Sequence, residues 1–137
     1  MPCEGIRQPA AIAAPAPALE IRTTLRGRTV RVHLAGILDR RSVPRLIQEV
    51  QAVLPGPGCL VVLDGAGLVH LDYRCVGMLV RWSRTLRSWK QRVCLDRWNE
   101  YLTAILAVED WDGEFADRSR SAAAGARWEI TRTVQVP

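Results

Sequence analysis

The sequence predicts a single α/β domain with a partly parallel sheet, and three patterns lead to this prediction. Residues 19–34 alternate apolar and polar side chains in two short runs, which is typical of a β-hairpin. Residues 43–54 place their apolar side chains on one stripe of a helix. Residues 59–63 are continuously apolar, as in a strand covered on both faces. With 137 residues, 48% of them hydrophobic, the chain can build one core and is too short for two ordinary domains.

The predicted order of elements is β-β-α-β-α-β-α. The hairpin strands contain Leu19 and Val30, and Gly36 is expected to end the second strand. The first helix follows Arg40, and the proline and glycine residues at 55–58 end it.

The second half of the domain is predicted in the same way. The apolar strand from Cys59 is expected to end at Asp64, and a short loop then leads to a helix from about Tyr73 to Trp89. Its inner stripe comprises Cys75, Leu79, Trp82, Leu86 and Trp89. A short strand at 92–95 and a third helix complete the order, and that helix carries Trp98, Leu102, Ile105 and Leu106.

Composition divides the chain into three parts. Residues 1–18 are rich in Pro and Ala and are predicted to be a flexible leader, residues 19–115 form the domain, and residues 116–137 are a linker and tail. In the tail, the apolar residues stand at even-numbered positions, which would lie on one face of a strand; they are Trp128, Ile130, Val134 and Val136. The tail is expected either to add an edge strand, in its own molecule or in a homodimer, or to fray.

Charge is distributed unevenly along the chain. The formal net charge is +5, carried by 18 Arg and one Lys, and residues 73–93 hold six cations and no acid. Residues 96–117 instead hold seven acids and one Arg. A basic face suits an acidic protein, an anionic surface or nucleic acid, but nucleic acid is disfavoured because no recognition helix or aromatic-and-basic RNA motif accompanies the charge.

Several function classes are excluded by what the sequence lacks. The four cysteines include no CxxC pair and only His33 and His70 could join them, so buried thiols are expected, with no metal and no cofactor. No Ser-His-Asp order is present, and the glycine-rich run after Asp64 lacks a phosphate-binding lysine, so we do not expect an enzyme. No apolar run approaches about 20 residues and the N-terminus is a poor secretion signal, so we expect a cytoplasmic protein without membrane insertion.

One set of motifs resembles a known family. G-x-L-D at Gly36, Leu38 and Asp39, the strand reaching Asp64, and Asp72 followed by Gly77 resemble the STAS-domain family over about residues 19–115. The family name refers to sulfate transporters and anti-sigma-factor antagonists. The resemblance implies a STAS-like fold, in which helices pack on one side of a mixed β-sheet, and a function in protein recognition without catalysis.

The resemblance breaks at the family's regulatory loop. Phosphorylated members read Asp-Ser-Ser-Gly-x-Gly there, and a partner kinase modifies the second Ser. The corresponding run here is Asp72-Tyr73-Arg74-Cys75-Val76-Gly77. The position of the phosphoserine is Arg74, so the usual switch is lost. Arg74 does not mimic phosphoserine, because a phosphate group adds a charge of about −1.5 to −2, whereas Arg74 adds a positive charge.

The resemblance also implies a partner-binding surface. It comprises Asp39, Asp72, Tyr73 and Arg74, and the outward-facing Arg81 and Arg84 of the second helix extend it. Simpler interpretations stand beside this one: both aspartates can cap helices, and the arginines can form a solvated face. The arginine series favours a partner because no acid follows at i+3 or i+4. Ser42 and Tyr73 are weaker candidates for an alternative phosphorylation site.

Three functions are compatible with these features. The first is a bacterial signalling protein resembling an anti-sigma-factor antagonist, which acts in transcription regulation by binding an anti-sigma factor or kinase-like protein. The second is a STAS subunit of a phospholipid-transport ABC system, which binds the ATPase subunit. The weakest is a sensor of a small ligand or nucleotide at the carboxyl ends of the strands, near Asp64.

Overall fold

The computed structural model of the chain describes residues 18–110, 113–115 and 129–137. Five strands and three α-helices lie in this part of the chain. They are β1 Leu19–Arg26, β2 Thr29–Leu38, α1 Ser42–Val53, β3 Leu60–Leu71, α2 Val76–Ser88, β4 Arg92–Asp96, α3 Glu100–Glu109 and β5 Glu129–Val136, with a 3-10 turn at Tyr73–Cys75 before α2. The predicted leader up to residue 17 and the predicted linker at 116–128 lie outside the described residues, as do Cys3 and Trp128.

The strands form one mixed sheet in the order β4-β3-β2-β1-β5. β1 and β2 form the predicted antiparallel hairpin, and β3 lies parallel to both β2 and β4. β5 pairs antiparallel with β1, and its Val134 and Val136 are buried. The mixed α/β architecture predicted from the sequence is confirmed, with one further strand at the edge of the sheet.

A single apolar core lies on one face of the sheet. Val30, Val61 and Val93 are aligned across three neighbouring strands and are all buried. The buried side chains of all three helices join the same cluster, among them Leu46, Leu79 and Leu102. The helices therefore share this face, and the opposite face carries the buried Arg31, Asp64 and Asp96 beside the buried Val62 and Cys94.

Both central strands are longer than predicted. β2 continues through Gly36 to Leu38, and β3 continues through the glycine-rich segment at 64–67 to Leu71, where a loop was expected. The pairing of β2 with β3 is irregular twice, between His33 and Ala35 and between Gly36 and Ile37. The apolar run of β3 stops at Asp64, but the backbone hydrogen bonds between β2 and β3 continue beyond it, because backbone pairing does not require apolar side chains. The strands are therefore longer than their apolar pattern indicates.

The helices follow the predicted stripes except at two tryptophans, Trp89 and Trp98. Trp82 is buried, but Trp89 is 59% exposed, so its prediction as part of the inner stripe was wrong. α2 ends one residue earlier because Lys90 adopts a left-handed φ of 66° and Gln91 N donates to Leu86 O at 2.8 Å. Trp98 was predicted to lie on the third helix, but it precedes α3, whose N-cap is Asn99, so this prediction was wrong.

The cysteines in the described residues are buried thiols that form no disulfide with one another, as expected for structural cysteines; they are Cys59, Cys75 and Cys94. Burial raises the pKa of the Cys75 thiol to about 12, so it stays protonated at physiological pH. No helix among the described residues is both long enough and apolar enough to cross a membrane.

Gly36 provides a test of how closely β1 and β2 approach each other. Its φ is +115°, and a Cβ atom there would lie 2.2 Å from the Ala18 carbonyl oxygen. Gly27 also has a positive φ, +58°, but its surroundings are open. We expect Gly36→Ala to lower the free energy of unfolding by about 2–4 kcal/mol and Gly27→Ala by only about 1 kcal/mol, measured by urea denaturation. Equal losses in the two variants would contradict this packing.

Candidate functional site

The loop between β3 and α2 is held in place by Asp72. Asp72 N donates to Leu38 O at 2.9 Å, and the Asp72 carboxylate accepts from Arg74 N, also at 2.9 Å. The Arg74 guanidinium returns to the same carboxylate, with Nη2 2.8 Å from Oδ2. Hydrogen bonds from the Arg74 side chain and amide lower the pKa of Asp72 to about 2. Asp72 is thus a helix cap and an ion-pair partner, and the loop carries little net charge.

Asp39 has the same capping role at α1. Its Oδ1 accepts from the amides of Arg41 and Ser42, each at 3.0 Å, and Ser42 Oγ accepts in return from Asp39 N at 2.9 Å. This reciprocal pair satisfies amides that the helix leaves without partners. Ser42 is 1% exposed, so its hydroxyl is inaccessible to a kinase.

An apolar groove opens beside this loop. It has a volume of about 350 Å³ and is lined by His70, Leu71, Tyr73, Tyr101, Ile105 and Val108. His70 Nδ1 and Tyr101 Oη are 2.7 Å apart, which ties the end of β3 to α3. Tyr73, Tyr101 and Val108 remain 57%, 53% and 63% exposed, so large apolar surfaces on both walls of the groove face solvent.

Sequence reasoning found one wall of the groove and missed the other. Tyr73 was among the predicted site residues, whereas the α3 wall was not predicted. Tyr101, Ile105 and Val108 are spaced i, i+4 and i+7, which is a second apolar stripe beside the buried Leu102 and Leu106. This second stripe is the sequence signal for an exposed apolar face on α3.

The arginines of α2 are less free than the sequence indicated. Glu114 is 6% exposed and pairs with Arg87 at 3.1 Å and with Arg84 at 3.7 Å, and it also accepts from Ser83 Oγ at 2.6 Å. No acid follows these arginines at i+3 or i+4, as the sequence indicated, but Glu114 compensates Arg84 and Arg87. The acid comes from a later segment of the chain, beyond the reach of an i+3 or i+4 rule. Arg81 is exposed and forms no ion pair within the described residues.

A second polar cluster is buried on the helix-free face of the sheet. Asp64 is 1% exposed and lies within β3, so its predicted position at the end of the strand was wrong. Arg31 of β2 donates to Asp64 Oδ2 from Nε at 3.1 Å and from Nη2 at 2.8 Å, and it also contacts Asp96 of β4. Arg97 Nη2 lies 2.5 Å from Asp64 and His33 Nδ1 lies 3.2 Å from it.

The cluster keeps Asp64 ionised. Burial alone would raise the pKa of Asp64, but hydrogen bonds from His33, Arg97, the Ala66 amide and Arg31 outweigh burial and hold the pKa well below its usual range. One carboxylate thereby links β2, β3 and the residue that follows β4. Arg31 Nε and Nη2 are engaged in these contacts, whereas the buried Arg31 Nη1 has no hydrogen-bond partner within the described residues. The contacts hold neighbouring strands together, which is a structural role.

Gly65, next to Asp64 in β3, faces the Trp98 ring, which packs against the apolar core. A Cβ atom at Gly65 would lie 2.6 Å from the Trp98 ring, and Trp98 Nε1 donates to Leu63 O at 3.0 Å. The glycine therefore gives the indole room to lie across β3, and the run that resembled a phosphate-binding loop is part of a strand.

These features match a known domain. A family model described as "Mlab, STAS domain" matches residues 21–117. The chain belongs to the STAS-domain family. A sequence comparison with curated proteins gave no match.

Solved structures share this STAS fold at low sequence identity. The unphosphorylated anti-sigma factor antagonist SpoIIAA has a TM-score of 0.58 at 16% identity, over 76% of this chain and 89% of that one. An anti-sigma factor antagonist from Mycobacterium paratuberculosis has a TM-score of 0.56 at 17% identity, over 74% and 87%. The murine anion transporter Slc26a9 has a TM-score of 0.60 at 10% identity, over 79% of this chain but 21% of the transporter.

Asp64→Asn is a direct test of the buried cluster. We expect it to lower the free energy of unfolding by about 3–5 kcal/mol at neutral pH, because the buried Arg31 loses one of its two carboxylate partners and keeps only the contact with Asp96. The folded pKa of Asp64 lies below the unfolded value of 3.8, so its contribution is complete above about pH 4 and is lost as the pH falls further. The wild type should therefore lose more stability than the variant between pH 5 and pH 2 in urea titrations.

Asp72→Asn is the matched control, because it removes an exposed ion pair. Its loss of stability should be much smaller. Equal losses for the two variants would show that the buried cluster contributes little to stability.

Proposed function

We propose that this STAS protein is a non-catalytic module that binds a partner protein through its loop end. The docking surface comprises the capping residues Asp39 and Asp72, the exposed Tyr73, Arg74 and Arg81, and the apolar groove between Tyr73 and α3. Arg84 lies further along α2 at the margin of this surface, where Glu114 already pairs with it.

The exposed groove is the observation that carries this proposal. Three large side chains on its two walls, Tyr73, Tyr101 and Val108, are each more than half exposed. Full burial of one large apolar side chain contributes about 1.5–3 kcal/mol, and aromatic anchors in pockets dominate many protein interfaces. A partner that fills the groove would bury all three side chains together.

Charge indicates the chemistry of the partner. Arg40, Arg41 and Arg81 are exposed at this end and form no ion pair within the described residues, whereas Arg74 is paired with Asp72. The surface beside the groove therefore carries excess positive charge. We expect the partner to insert an apolar side chain into the groove and to place acidic residues against these arginines.

The position of Arg74 makes binding independent of the family's covalent switch. Phosphate at this position would add about −1.5 to −2 charges beside Asp72, but Arg74 has no hydroxyl to accept it. Ser42, the nearby alternative, is buried in its hydrogen bonds with Asp39. Binding would be controlled by the amounts of the two proteins.

We assign the protein first to cytoplasmic signalling, as an anti-sigma-factor antagonist-like regulator of transcription with an anti-sigma factor or kinase-like partner. The second candidate is a STAS subunit of a phospholipid-transport ABC system, bound to its ATPase subunit. Arg74 favours this second candidate, because a permanent subunit needs no switch for release. The identity of the protein recovered with the tagged chain distinguishes the two.

The docking surface is tested by variants on each of its parts. We expect Tyr101→Ala, and separately the double variant Arg74→Glu, Arg81→Glu, to weaken partner binding by about 10- to 100-fold, because the first removes an aromatic anchor and the second reverses two charges. The measurement is quantitative pull-down followed by titration against the recovered partner. Trp89→Ala is the matched control, because Trp89 is 59% exposed at the other end of the molecule. Unchanged binding by folded docking-surface variants would refute the proposal.

The missing switch is tested by mass spectrometry. If the recovered partner is a kinase, we expect incubation with ATP to leave the wild-type mass unchanged, because no acceptor hydroxyl stands at position 74. Arg74→Ser should instead gain one phosphate in intact-mass measurements. Stoichiometric phosphate on the wild type would show that another residue serves as the acceptor.

A further inference from the structure

An exposed tryptophan stands among cations at the end of the sheet farthest from the docking surface. Trp89 caps the C-terminus of α2 and is 59% exposed, although it was predicted to face the core. The next residue, Lys90, takes a left-handed φ of 66° and is also exposed. This turn directs the chain from α2 into β4 and leaves the indole outside the core.

Hydrogen bonds bring further cations to the same end. Lys90 O accepts from Gly58 N at 3.1 Å, and Arg28 O accepts from Leu60 N at 2.9 Å. Arg92 is the β4 partner of Leu60 in the parallel pairing. The β1–β2 turn, the loop before β3 and the turn after α2 therefore meet at one surface.

We define the basic end as Trp89 together with the exposed cations Arg26, Arg28, Lys90 and Arg92. None of these cations forms an ion pair within the described part of the chain. Arg26 and Arg92 lie three strand spacings apart, or about 14 Å. Glu129 is the β5 register partner of Leu25, which precedes Arg26. The four exposed cations outnumber this acid, so the charge of the basic end is positive.

We infer that the basic end is a peripheral docking surface for an anionic lipid bilayer. Tryptophan favours the interface between headgroups and acyl chains, because its ring is apolar while its N–H remains hydrogen-bonded. Each cation near an anionic bilayer strengthens binding about fivefold. Nucleic acid is the poorer fit, because these cations lie on turns and strand ends and not along a helix that could enter a groove. A protein interface usually surrounds its aromatic anchor with a pocket, whereas Trp89 projects from turns.

The position of this surface makes it independent of the docking surface. β3 runs 12 residues from Leu60 at the basic end to Leu71 beside the groove, which corresponds to roughly 35 Å. A molecule resting on a bilayer by its basic end would therefore hold its groove away from the lipid. Membrane contact and partner binding are compatible in one molecule.

The test uses the full chain alone with lipid vesicles, so its outcome does not depend on the proposed partner. We expect co-sedimentation with phosphatidylcholine vesicles in which about a third of the lipid is phosphatidylglycerol, no sedimentation with pure phosphatidylcholine, and loss of binding at high salt. Lys90→Glu with Arg92→Glu should reduce binding at least about tenfold, and Trp89→Ala should also reduce it. Tyr101→Ala and Arg81→Glu, at the other end, should leave it unchanged.

Fluorescence supplies a second measurement. The chain contains five tryptophans, so the difference between wild-type and Trp89→Phe spectra isolates the indole in question. A blue shift of this difference spectrum on anionic vesicles supports insertion. Absence of vesicle binding, or equal binding by the folded Lys90→Glu, Arg92→Glu variant, overturns the inference. Binding to a short DNA duplex or to polyglutamate without binding to vesicles also overturns it.

Discussion

The buried carboxylate of Asp64 is the interaction on which the central strands depend. It lies within β3, is 1% exposed, and accepts hydrogen bonds from Arg31 of β2 and from Arg97 just after β4. A charge in such a place costs several kcal/mol unless donors surround it. Those donors are in position only when the three strands are in this register. The cluster thus specifies how the strands align, while the apolar face supplies the larger part of the stability.

Residues with ordinary periodicity were predictable, and residues set by tertiary contacts were not. The stripe of α1 and the buried stripe of α2 up to Leu86 were read correctly, because an amphipathic helix repeats its pattern. The length of β3 was not, because Gly65 and Gly67 are typical of a loop. Those glycines are required by close approaches of Trp98 and Ala35, and these contacts cannot be read from local sequence.

The same distinction applies to the candidate site. Asp72 as a cap and Tyr73 as an exposed side chain followed from local rules of helix starts. The groove itself needs α3 to lie against the end of β3, which the His70–Tyr101 contact shows. Glu114 illustrates the limit most clearly, because it neutralises arginines on α2 from a segment 27 residues beyond Arg87. Counting the charges at i+3 and i+4 along a helix cannot reveal an acid that comes from a distant segment of the chain.

The ion pair between Asp72 and Arg74 has a consequence for how this surface would work. In a loop that is phosphorylated, added negative charge changes the electrostatics of a flexible hydroxyl-bearing segment. Here Arg74 folds back on the cap of its own turn, so the loop is held in one arrangement before a partner arrives. A preorganised loop loses little conformational entropy on binding. Under the proposed function, Arg74 would therefore both lack the acceptor hydroxyl and favour a standing complex, in which affinity depends on the groove and the surrounding arginines.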